Sequence, residues 1–134
     1  NFFRPGYVPP STVAPPATGL SAGKVAPEFQ IVNESSVGGY LNLMMNVIDT
    51  GFNSGDIKAA YTTELTLVLD PTALVQRLNL LMAAGQLSVG TVSTIVTALS
   101  GVNVTASSSA SIKRNRVCAA VLMVMASVEY LVQK

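Results

Sequence analysis

The sequence predicts an all-α protein, a small helical bundle around an apolar C-terminal helix, preceded by a proline-rich irregular segment. Three observations carry that expectation. Apolar residues recur at steps of three and four in several separate segments, the spacing that lines one face of a helix. The segments are bounded by helix start and stop signals, of which Asp70-Pro71, Gly85, Ser88 and Gly101 are the firmest. The last stretch, from about Arg114 through Gln133, is apolar nearly all round, and such a helix belongs at the centre of a fold.

Residues 1 to 26 contain Pro5, Pro9, Pro10, Pro15 and Pro16 with Gly6, Gly19 and Gly23. Proline removes an amide donor and biases its predecessor away from helix, so this stretch is expected to be extended or irregular. Phe2, Phe3 and Tyr7 are costly to leave in water, so the segment is expected to pack on the core of a helical domain spanning residues 27 to 134. Asn33, Glu34, Ser35 and Ser36 offer N-caps for a first helix. Its stripe is Val37, Tyr40, Leu41, Met44, Met45 and Ile48, ending near Gly51, with Gly38 and Gly39 admitting another backbone closely. Asp49 to Asp56 carries the signals of a loop.

Thr62 to Leu69 reads two ways. Leu65, Leu67 and Leu69 alternate as in a strand, while Thr62, Thr63 and Glu64 suit the start of a short helix, which the helical context favours. Asp70 as cap and Pro71 at the first position open the next helix, with Leu74, Val75, Leu78, Leu81 and Met82 as its stripe. Ser88 caps a further helix whose buried face is Val92, Ile95, Val96 and Leu99. Val102 to Ser111 has no periodicity and reads as a surface loop. In the final helix Val117, Val121, Val124 and Val128 share a face, and Val121, Val124 and Met125 are expected to be buried, with Cys118 inaccessible.

At 134 residues the chain is long enough for one core. Only 11% of its residues are charged and 49% are apolar, so part of the apolar surface is expected to meet a partner. Eight basic against seven acidic side chains, with Lys113, Arg114 and Arg116 as the sole cluster, give no concentrated basic face, and nucleic acid is not an expected ligand. That cluster is expected to form solvated caps or ion pairs. The chain has no histidine, which removes the commonest general base and most transition-metal sites. With one cysteine it holds no internal disulfide. The apolar run from Val117 to Val128 falls short of the about 20 residues that a bilayer span needs.

No catalytic or cofactor constellation stands out, and no cofactor is expected. Asp49, Asn53 and Asp56 could offer oxygen ligands to a cation, but their spacing departs from the calcium-loop pattern, and a solvated turn is the expectation. Glu28 and Glu34 could form an acid–base pair; backbone bonds or an arginine partner are the simpler role. Arg77 and Glu129, charged residues on apolar helices, are expected to be paired.

The opening Asn1-Phe2-Phe3-Arg4-Pro5-Gly6-Tyr7-Val8-Pro9-Pro10, the block from Pro27 to Glu34, the Gly85-Gln86-Leu87-Ser88 turn and the ending from Met125 to Gln133 occur in this order and spacing. In these the chain resembles the C-terminal part of the bacterial family called domain of unknown function 1800. The resemblance implies an extracytoplasmic protein without an established activity, whose larger N-terminal portion would be the first partner and a second copy the next. At Val128 the family commonly has proline, and its loss is expected to let the last helix run on. Two functions stand open: a structural or interaction module of an exported or cell-surface protein, or a non-catalytic part of a larger exported enzyme such as a hydrolase, contributing contacts through Tyr7, Glu28 or Asn33.

Overall fold

The computed structural model describes residues 34–132. The chain divides after Tyr40 into two units. Of the first, the described part is residues 34–40, the opening turns of α1 (Glu34–Thr50). The expected boundary at residues 26 and 27, and the packing of Phe2, Phe3 and Tyr7, lie outside the described residues.

The second unit is all-α. It contains the rest of α1, then α2 (Thr62–Thr66), α3 (Pro71–Ala83), α4 (Val89–Ser100), α5 (Ala110–Met125) and α6 (Val128–Leu131). Among the described residues there is no strand, only an isolated bridge between Phe52 and Ile57. The ambiguity at Thr62 to Leu69 resolves as the short helix α2 followed by a turn. Helix α5 is the centre of the bundle: α2, α3, α4 and α6 all pack on it, and α3 also touches α4 and α6. Val117, Ala120, Val121 and Val124 run down its inner face against Leu74, Val75 and Leu78 of α3 and Ile95 and Leu99 of α4, in one continuous core.

The helix starts follow the sequence signals. Asp70 accepts from the Ala73 amide at 3.0 Å with Pro71 at the first helical position, and Ser88 accepts from the Thr91 amide at 3.1 Å. Helix α3 stops at Ala84 and Gly85, both with positive φ. Gly51, at φ +95°, makes the turn after α1, where a Cβ would stand 2.6 Å from the Ile57 carbonyl oxygen.

Several expectations are corrected. Helix α5 begins at Ala110, four residues before Arg114, because Ser109 caps it by accepting from the Ile112 amide. It does not continue to Gln133. The Ser127 hydroxyl donates to the Val124 carbonyl at 2.7 Å and accepts from the Tyr130 amide, closing α5 and opening α6. A serine cap thus restarts the helix where the resemblance associates the restart with proline, and Val128 ends up 71% exposed. In α3, Leu81 is 60% exposed and Asn79 takes a buried place on the stripe. In the second unit's part of α1, Ile48 is buried while Met45 is exposed, and among the described residues nothing lies within 4 Å of a Cβ at Gly38 or Gly39. Met125 and Cys118 are half-buried rather than enclosed.

The basic cluster also departs from a solvated cap. Arg116 is 8% exposed and donates to the Val68 carbonyl at 3.1 Å, to Leu99 at 3.0 Å and to Val102. It ties the end of α4 and the turn after α2 to the core helix, and its charge faces the carbonyl end of α4. Arg114 does form an ion pair, with Asp49, while donating to the last carbonyls of α1. Its guanidinium lies 5.9 Å from the Tyr61 ring centre, and the Tyr61 hydroxyl donates to the Ile48 carbonyl at 3.1 Å.

Candidate interaction surface

The turn from α3 to α4 is built on Asn79. Its buried side-chain oxygen accepts from the Leu87 amide at 3.1 Å, and its carbonyl accepts from Gly85 at 3.0 Å. This brings Ser88 and the start of α4 beside α6. There the Glu129 carboxylate accepts from the Ser88 amide at 3.1 Å and from the Thr91 hydroxyl at 2.8 Å. The Thr91 hydroxyl, with help from backbone amides and Ser88, pulls the Glu129 carboxyl down to about 2. Three helix ends are thereby fixed together: the end of α3, the start of α4 and α6.

A surface cleft of about 560 Å³ opens at this junction, with Met82, Ala83 and Gln86 on one side and Glu129, Tyr130 and Leu131 on the other. The cleft's own lining is more polar than apolar, but the three helices that meet here also carry large exposed apolar side chains. Leu80 is 69% exposed, Val89 is 89% exposed, and Leu81, Val128, Leu131 and Val132 are exposed as well. An isolated exposed leucine is ordinary. Several of them on helices that one turn ties together would, where they adjoin, offer the apolar area that marks interaction surfaces.

The residues singled out in the sequence are scattered. Arg77 pairs with Glu64 at 2.7 Å, and that arginine holds the Glu64 carboxyl below its ordinary value. Glu129 has hydroxyl and amide partners in place of the expected cation. Asp49 is engaged with Arg114, while Asn53 donates to Asp56 at 2.6 Å, so of the three candidate cation ligands two bond to each other and the third faces an arginine. Among the described residues no group of three His, Cys, Asp or Glu side chains could hold a metal ion. Tyr7, Glu28 and Asn33, and the side chain of Glu34, lie outside the described residues.

Sequence reasoning missed Asn79, Thr91 and Arg116. A signal existed for two of them. Asn79 adjoins Leu78 and follows Val75 by four residues, and Arg116 precedes Ala120 by four and Val124 by eight, so each stands on the buried stripe of its helix. Among the described residues no helix is long and apolar enough to cross a membrane. Set against known proteins, the chain matches no family model, no curated protein and no solved structure.

Proposed function

We propose that the chain is a structural or interaction module that docks through the apolar end formed by α3, α4 and α6. The observation that carries this reading is the exposure of Leu80, Leu81, Val89, Val128 and Leu131 on α3, α4 and α6, elements that hydrogen bonds of Glu129 and Asn79 tie together. The low charge content supports it, since few charged side chains stand ready to keep such a surface in water. The expected occupant is the preceding part of a longer protein, as the family resemblance implies, with a second copy as the form open to the isolated chain. An exported bacterial setting is part of the same proposal. It rests on that resemblance and on a composition rich in Ser, Thr, Ala, Gly and Val.

Sedimentation velocity over a concentration series tests it. The chain is expected to associate as concentration rises, and the Leu80→Glu/Leu131→Glu variant to remain monomeric with an unchanged helical circular dichroism signal. Hydrogen exchange in a longer chain that carries preceding residues supplies the second arm, with amides of residues 80–82 and 128–131 expected to be slowed. A strictly monomeric parent chain, combined with unchanged exchange in the longer one, overturns the reading.

A further inference from the structure

The cleft of about 560 Å³ between the end of α3 and α6 holds a negative charge that the described residues do not neutralise. Glu129 stands in its wall. The Ser88 amide and the Thr91 hydroxyl both donate to Oε1 of that carboxylate, while Oε2 accepts from no other described residue and is not buried. Those donors are neutral, and both ion pairs of the described residues engage other carboxylates, Glu64 and Asp49. With the Thr91 hydroxyl as the main cause, the Glu129 carboxyl is pulled down to about 2, so near neutral pH it is ionised. The facing wall is the end of α3, with Met82, Ala83 and Ala84. This helix has no basic residue in its last turn, and beyond the helix itself no described group donates to the carbonyls of Leu80, Leu81 or Met82. A helix end of this kind carries partial negative charge. Carboxylate and helix end therefore set negative potential on two sides of one cleft, and none of its lining residues is basic.

We infer that this cleft binds a primary ammonium group carried on a short apolar chain. An ammonium brings a unit charge and three donors, enough to meet Glu129 Oε2 and carbonyls at the end of α3 at once. Calcium is a poorer match, since it takes about six to eight oxygen ligands and the cleft offers a single carboxylate. The volume falls in the range of small-molecule sites, and Met82 and Leu131 in the lining supply apolar contact for the chain. A neutral molecule of the same shape would keep those contacts and leave the carboxylate unanswered.

Titration of the full chain with hexylammonium near neutral pH, followed by the methyl resonances of Met82 and Leu131, tests the inference, with hexanol as the neutral match. Saturable shifts of both residues are expected, and hexanol should bind about ten-fold more weakly or worse. Glu129 also fastens α6, so the accompanying variant is Gln86→Lys, at an exposed position of the cleft wall, which offers the carboxylate a cation from within the chain. It should weaken hexylammonium about ten-fold while leaving the circular dichroism spectrum in place and the melting temperature no lower. The cleft adjoins the proposed docking surface, but ammonium binding needs only one chain, so the titration is run at a dilution where the chain is monomeric and its failure leaves the sedimentation result standing. Absence of saturable shifts at millimolar hexylammonium overturns the inference. So does equal binding of hexanol, which would leave the charge without a role, or hexylammonium binding indifferent to Gln86→Lys, which would place the ligand elsewhere.

Discussion

At the scale of single residues, the second unit is held by a few buried polar side chains that act on backbone groups. Asn79 is the clearest. Its oxygen accepts from the Leu87 amide in a buried setting, so replacing it with leucine keeps the volume and orphans a donor. An unsatisfied buried donor costs about 1–3 kcal/mol, more than a neutral hydrogen bond contributes when both partners are exchanged. Asn79→Leu should therefore lower the urea midpoint by a corresponding amount, although its side chain is the more hydrophobic. A midpoint equal to or above that of the parent would show that the Leu87 amide finds another acceptor. Cys118 gives a milder expectation. It borders a groove with Met45, Ile48 and Leu122, and burial pushes its thiol pKa up. Labelling in the native state should proceed, and slowly, since the thiolate is scarce.

At the scale of elements, α6 is too short to persist on its own, and Glu129 is what fastens it to α4. The folded-state pKa of Glu129 is depressed from 4.5 to about 2, so its stabilisation is fully present above about pH 4.5 and is lost as the pH falls toward 2. Glu64, lowered by Arg77, acts in the same direction. Glu129→Gln should thus be less stable than the parent near neutral pH, with a gap that closes as both are taken below pH 4.5, while the slope due to Glu64 persists. Denaturation midpoints at stepped pH measure this, and a gap that stayed constant down to pH 2 would remove the charge from the account. The elements themselves were largely legible. Asp70-Pro71 and Ser88 marked helix starts because a cap is a local contact between residues two or three apart. Ser109 and Ser127 act by the same chemistry, yet serines around Ser109 compete for the role, and Ser127 is hidden inside an apolar run. What stayed illegible depends on partners distant in sequence: Arg116 reads as surface charge until Val68 and Leu99 are brought to it, and Glu129 shows no sign of Ser88 and Thr91.

At the scale of the whole molecule, the question is which apolar faces this chain covers by itself. Helix α5 answers for the interior: Val124 is fully buried, with neighbours from other helices of the unit. Val124→Asp would place a carboxylate where no cation stands ready, a cost of several kcal/mol against a total stability of about 5–15 kcal/mol for an ordinary domain. The variant should lose its cooperative thermal transition. Leu81→Asp tests the opposite face. Leu81 is largely exposed, so the free chain should tolerate the change within about 0.5 kcal/mol, the range of ordinary surface substitutions. Paired calorimetric scans distinguish a bundle whose core closes on α5 and whose outer α3 face is free from one in which both faces are structural. If Leu81→Asp were as damaging as Val124→Asp in a dilute, monomeric sample, the α3 face would belong to the chain's own core and would not be available for docking. Tolerance in the dilute chain together with lost association at high concentration would assign the burial of Leu81 to the partner.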